Sequence, residues 1–174
     1  MEPQRDPEPS QPQMFGGSVG SAKLPWGWAT ERLSRARNYW IVTTRPAGQP
    51  HSRPIWGIWL DHAFYFSTGS LAVQNLAAQP AITVHLESGN EVVIIEGVAQ
   101  QVSNIALLEQ VVSLYNQKYH WNLDPNQLPG PFYVVRPQVA FGGHFEESEI
   151  NPKTSALSNA TRWRFLQPAA NTTF

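Results

Sequence analysis

From Tyr39 onward, apolar and polar positions alternate in short runs broken by Gly, Pro, Asn and Asp, the pattern of closely spaced antiparallel strands. The runs are Tyr39 to Arg45, His51 to Leu60, Ala63 to Thr68 and Ala81 to Glu87, followed by the β-branched EVVIIEGVAQQV. PAGQP separates the first two, and Asp61-His62 the next two; a two-residue connection predicts a tight hairpin. Ser88-Gly89-Asn90 predicts a further turn, and PFYVVRP, QVAFGGHFE and TRWRFLQ read as three more strands, with a polar loop from Glu146 to Asn159 before the last. Helical spacing appears in three places. Ala29, Leu33, Ala36 and Tyr39 or Trp40 fall on one face, with Thr30 able to cap them; Leu71 to Ala78 makes a short helix; and a helix opened by Ser103 carries Ile105, Leu108, Val111 or Val112, Tyr115 and Tyr119 as one stripe. Six or more antiparallel strands with two or three interposed helices predict a mainly β fold, a closed or nearly closed small barrel.

Ahead of this pattern, residues 1–23 are rich in Pro, Gln, Glu, Gly and Ser and bury too little apolar surface to offset the entropy of ordering, which predicts a disordered tail. Residues 24–174 then form one domain, the number expected from 174 residues with 41% hydrophobic content. A formal charge of -1 gives no general affinity for nucleic acid or an anionic membrane surface, so the expected ligand is a small molecule. The absence of cysteine excludes disulfides, thiolate metal sites and a cysteine nucleophile. With neither a secretory signal pattern nor an apolar run of membrane-spanning length, a cytoplasmic location is the expectation.

One stretch carries candidate chemistry. In FSTGSLAVQNL, Phe66 ends a strand, Ser67 to Ser70 can turn the chain, and the helix from Leu71 offers free amides and a positive dipole end to an anion. Ser67, Thr68 and Ser70 can each donate one hydrogen bond to a phosphate oxygen, although such residues more often serve as turn and cap groups. A cation would reinforce the site, yet the positions that follow are Leu71, Ala72 and Val73.

Taken together, RNYWIVTTRPAGQPHSRPIWGIW, FYFSTGS, NLAAQPAITVHLESGNEVVIIEG and TRWRF resemble the pyridoxamine 5'-phosphate oxidase-like family of flavin-binding split barrels, in order and spacing, over the whole chain after the tail. The resemblance implies a six-stranded antiparallel split β-barrel that pairs as a homodimer, with FMN, or in a large branch a deazaflavin, at the interface. The WGIW and LESGNEVVIIEG wording is closer to the deazaflavin-related branch than to the vitamin B6 oxidases.

Carried over residue by residue, the resemblance places Arg53 near the flavin phosphate or ribityl chain, where a guanidinium fork donates two parallel hydrogen bonds. Pro54 implies an edge or bulge, with Ile55, Trp56 and Gly57 beside the isoalloxazine. Ser67, Thr68 and Ser70 contact the phosphate and ring, Asn75 joins them from the helix, and Ala72 stands where family members carry a Lys. Losing one charge-assisted hydrogen bond weakens phosphate binding by about 1.5 to 3 kcal/mol. Arg136, Arg162 and Arg164 are the available substitutes, with Arg45 a fainter one; the closing strand brings Trp163 and Arg164 toward the cofactor from the second subunit, although alternation points them to opposite faces. Trp40 and Trp59 read as core or interface residues.

The five histidines show no HExxH or paired spacing, so no zinc site or serine-type triad is expected; His144, in FGGHFEE, is the candidate for a haem ligand, since related split barrels bind haem through a His. Glu146 and Glu147 read as solvated loop residues. The leading expectation is an FMN-dependent oxidoreductase acting on an unknown small molecule. The vitamin B6 oxidase activity itself is not expected, because a second phosphate site cannot be assembled from these few cations. The competing class is a non-catalytic split-barrel homodimer that binds flavin weakly or not at all, or takes deazaflavin or haem.

Overall fold

The computed structural model describes residues 6–12, 22–69, 71–144 and 159–166. Its strands are β1 (Glu8–Ser10), β2 (Tyr39–Thr44), β3 (Pro50–Ile55), β4 (Gly57–Leu60), β5 (Ala63–Ser67), β6 (Ala81–His85), β7 (Glu91–Gln101), β8 (Phe132–His144) and β9 (Thr161–Arg164); its helices are α1 (Trp26–Arg35), α2 (Leu71–Ala78) and α3 (Ile105–Tyr119). All the strand pairs are antiparallel and belong to one sheet, with the order β1-β9-β8-β7-β6-β2-β3 and with β5, bearing β4, on the other half of β8.

A break at Trp56 splits the barrel. Alternation predicts one strand from His51 to Leu60; instead β3 pairs with β2 and, one residue later, β4 pairs with β5. The circuit β2, β3/β4, β5, β8, β7, β6 thus closes through the covalent chain at Trp56 and not through hydrogen bonds, which leaves a split barrel of six strands when β3 and β4 are counted as one bent strand. The Asp61-His62 connection forms as expected, with φ of 46° and 59°, the left-handed pair that two-residue hairpins use.

Alternation along the strands divides the interior. Tyr39, Ile41, Phe64, Phe66, Val84, Ile95, Val135, Ala140 and Trp163 fill the barrel, closed by Trp26, Ala29 and Leu33 of α1 and by Ala72 and Leu76 of α2. On the outer face, α3 lays Val111, Val112, Tyr115 and Tyr119 over Ile58, Ala63, Tyr65, Phe132 and Val134. Burial on both faces explains the unbroken apolar run in β5.

Several expectations shift. PFYVVRP and QVAFGGHFE are one 13-residue strand, β8, because Pro137 falls where the β7–β8 register slips between Glu96 and Gly97, so its missing N–H leaves no ladder bond open. Glu8–Ser10, within the stretch expected to be disordered, adds a strand to β9, with Ser10 Oγ donating to Arg162 O. α1 begins after Pro25, because burying Trp26 extends the helix backward; Thr30 lies inside it and donates to Gly27 O. Asn104, not Ser103, caps α3 by accepting from Leu107 N, and Ile105 lies outside the buried stripe, 73% exposed.

Candidate functional site

Tyr39, Ile41 and Thr43 of β2 face the barrel interior, and their cross-strand partners Ile55, Arg53 and His51 share that face. Arg53 is therefore on the inner side of β3, a strand whose other edge is unpaired among the described residues, which is also why β3 tolerates Pro50 and Pro54. Arg53 is half-buried, and its guanidinium makes no hydrogen bond or ion pair with the described residues. α2 packs on β2 here. Asn75 is fully buried and its Nδ2 donates to Thr43 Oγ1 at 2.9 Å, while Thr43 Oγ1 lies 3.4 Å from both His51 Nδ1 and His51 O.

Two buried polar atoms on this side lack partners among the described residues: Asn75 Oδ1 and Thr68 Oγ1. Thr68 continues the inward face of Phe64 and Phe66, whereas Ser67 continues the outward face of Ala63 and Tyr65, so the two hydroxyls expected to act together point to opposite sides. The loop before β8 lies on the turn, since a Cβ on Gly130 would stand 2.9 Å from Thr68 O. Ser70 lies outside the described residues. Ala72 has no exposed surface: position 72 faces the core, so the cation missing there is not missing from a solvent-facing wall. Polar groups left unsatisfied in a folded interior cost about 1 to 3 kcal/mol each, which marks the α2 side of β2–β3 as a place where a polar ligand would add stability.

Trp56 belongs elsewhere. Ile55 joins the barrel interior, but Trp56 packs with the α3 layer, its ring parallel to Tyr119 at 4.6 Å. α3 staples the strand break through Gly57, whose N–H donates to Tyr119 OH at 2.9 Å and whose carbonyl accepts from Lys118 Nζ at 3.0 Å. Lys118 also donates to Tyr39 OH, and Tyr39 OH to Leu33 O. Burial, reinforced by the Arg37 charge, pushes the Lys118 amine down to about 8, and burial raises Tyr39 and Tyr119. Neither Lys118 nor Thr43 emerges as a candidate from the sequence, although a Lys one residue before a buried Tyr on an apolar stripe is an available signal.

The lowered Lys118 value has a sign that can be measured. The folded chain releases this proton near pH 8 while the unfolded chain holds it until about pH 10.4, so stability is reduced at neutral pH and rises as pH increases between those values. Urea unfolding midpoints are expected to rise from about pH 8 to pH 9.5 in the wild type, below the range where the raised tyrosines oppose the trend, and to rise less in Lys118→Met. Equal slopes in the two proteins would remove Lys118 as the cause.

Trp163 and Arg164 do point to opposite faces. Trp163 has no exposed surface, donates from Nε1 to Leu24 O at 3.2 Å and meets Trp26 edge-on at 5.3 Å, leaving no ring face for a ligand within this chain. Arg164 is exposed on the outer face, which Arg162 and Arg136 share by register, while Arg45 is exposed beyond β2. Trp40 is half-buried on this outer face, stacked on His85, and Trp59 packs against the barrel core. His144 is engaged at both ring nitrogens: Nε2 accepts from Trp28 Nε1 at 3.0 Å and Nδ1 lies 3.6 Å from Glu91. Ligating iron would require breaking the bond to Trp28 or displacing Glu91. Among the described residues, no cluster of three His, Asp or Glu side chains could hold a metal.

The sequence profile described as pyridoxamine 5'-phosphate oxidase matches residues 29–158. No curated protein matches the chain. Among solved structures, an FAD-binding protein from Mesorhizobium loti is 14% identical, with a TM-score of 0.56 over 80% of this chain and 94% of that one. An F420 reductase is 19% identical, with a TM-score of 0.51 over 63% and 93%. The haem storage protein HutZ from Vibrio cholerae is 16% identical, with a TM-score of 0.57 over 66% and 92%. At these identities the likeness establishes the shared fold.

Proposed function

Because the chain belongs to the pyridoxamine 5'-phosphate oxidase family, we propose that it is a flavin-dependent oxidoreductase that takes FMN and acts on a small molecule. The observation that supports this reading is the set of uncommitted polar groups on the α2 side: the Arg53 guanidinium, without an acceptor on an edge strand, and the buried Thr68 hydroxyl, without a partner. These groups suit a phosphate. Arg53 would donate two parallel N–H bonds, Thr68 one O–H bond, and the first amides of α2 would add their partial positive charge. Asn75, buttressed by Thr43, would orient a polar edge of the ligand.

When bound, the flavin supplies hydride transfer. The protein's own part is to hold the phosphate and exclude water with the apolar core behind α2. That relatives of the same fold include an FAD-binding protein and an F420 reductase favours flavin-type ligands, and the commitment of both His144 nitrogens disfavours haem. FMN is preferred over a deazaflavin with an acidic tail because the α2 side presents one free cation among the described residues. The outer sheet face not covered by α3 carries half-buried Trp40, Val42, Ile94, Val139 and Phe141, and a second copy of the chain seated there is the homodimer this reading includes. A cytoplasmic location completes it; no described helix is long and apolar enough to cross a membrane.

Visible absorption of the purified protein, with and without added FMN or deazaflavin, tests the reading. A flavin spectrum that survives desalting supports it; a colourless protein that binds neither leaves the non-catalytic homodimer. Arg53→Ala is expected to weaken FMN by about tenfold to a hundredfold, the loss of one charge-assisted contact, with an unchanged unfolding midpoint.

A further inference from the structure

A second constellation lies on the α3 side of the sheet. Trp56 is parallel to Tyr119, with planes 7° apart, and Trp121 meets Trp56 edge-on at 5.6 Å and 75°. The two indoles therefore form a corner, one wall packed on Tyr119 and the other standing into solvent with Trp121 54% exposed. The corner is fixed, because Tyr119 OH accepts from Gly57 N–H and donates to Arg37 O at 2.7 Å, tying α3 to the strand break and to the segment after α1.

Two cations border it. The Arg37 guanidinium stands 5.8 Å from the Trp56 ring centroid and 5.7 Å from that of Tyr119, and Lys118 Nζ stands 5.4 Å from Tyr119. Neither forms an ion pair with a carboxylate among the described residues. Lys118 commits two N–H groups, to Tyr39 OH and Gly57 O, and keeps a third; the Arg37 side chain has no acceptor among the described residues. Burial first, and then the Arg37 charge, lower Lys118, as befits like charges held together without a counter-ion.

An exposed aromatic wall and two uncompensated cations are each unfavourable in the free protein, and one ligand class relieves both. We propose that the Trp56–Trp121 corner binds a small aromatic carboxylate, its ring against the indoles and its carboxylate on Arg37. A neutral aromatic lacks the charge, and an aliphatic acid lacks the flat face that stacks on an indole. The site is separate from the groups around α2 and does not depend on the flavin reading.

Calorimetric titration of the full chain with sodium benzoate, benzyl alcohol and cyclohexanecarboxylate tests this, with tryptophan emission as a second readout. Benzoate is expected to bind more tightly than either analogue and to change the emission. Arg37→Ala should weaken benzoate about tenfold or more, and Trp121→Ala about fivefold. Both side chains are exposed, so circular dichroism is expected to show intact folds. Arg53→Ala, on the other face, should leave benzoate affinity unchanged. No binding at millimolar benzoate, equal affinity for the three compounds, or an undiminished affinity in Arg37→Ala would overturn the assignment, as would loss of binding in Arg53→Ala.

Discussion

Replacing Trp163 with alanine is expected to destabilise the fold by about 3 to 5 kcal/mol, the range for removing a large aromatic side chain from a core. The ring has no exposed surface, and it rests on Gly142 so closely that a Cβ there would lie 3.0 Å from it. It cannot be replaced by collapse of its surroundings, because β8 and β9 are held by ladder bonds and α1 is anchored through Leu24 O and the edge of Trp26. Urea unfolding followed by far-ultraviolet circular dichroism would measure the loss, and Trp163→Phe, which keeps most of the packing, should cost less. The same pair separates two roles for this residue. Folded Trp163→Phe is expected to hold FMN as the wild type does; a selective loss of FMN with an unchanged midpoint would instead return Trp163 to the ligand.

Gly97→Ala carries the second large effect, at about 3 kcal/mol, the upper part of the usual range for overpacking. A Cβ at this position would fall under 3.0 Å from the Arg136 carbonyl oxygen and at 3.0 Å from Val135 Cγ1. The obstacle is backbone, and β8 cannot retreat: it is bonded to β7 along one edge and to β5 and β9 along the other. The substitution strikes the register slip that accommodates Pro137, so the damage should spread along the longest strand pair. Gly89→Ala, in a turn with open space around it, is the matched control and is expected to stay within about 0.5 kcal/mol of wild type. A Gly97→Ala midpoint as close to wild type as that of Gly89→Ala would show that the bulge can open.

Much of the fold is legible because its signals are local. The runs YWIVTT and AITVH read as strands, and both form strands with alternating burial. α2 has the expected bounds, and the Asp61-His62 hairpin forms where two residues separate two apolar runs. The features that escape the sequence depend on distant partners. In HSRPIWGIWL, Pro54 predicts an edge or a bulge but does not mark the break at Trp56; there the chain passes from one partner strand to another, from Tyr39 at the start of β2 to Phe66 near the end of β5, and α3 holds the bend from more than sixty residues away. The β8 strand reads as two because the missing donor of Pro137 looks disruptive until the matching slip in β7 is known.

The candidate site divides in the same way. Residue type and motif point to Arg53, Thr68 and Asn75, and the structure places them on the inner side served by α2. The same motifs include Ser67 and Trp56, which face the opposite layer, and Trp163 and Ala72, which are core. A motif records which side chains can bind a ligand; it does not record which face each occupies once the strand has bent. Strands, most helix bounds and the family are therefore written in the sequence, since these follow from periodicities of two and 3.6 residues and from ordered motifs. Tertiary packing sets where the barrel splits, which polar groups are left without partners and which cations stand uncompensated, because each is a balance among side chains that meet only when distant strands pair.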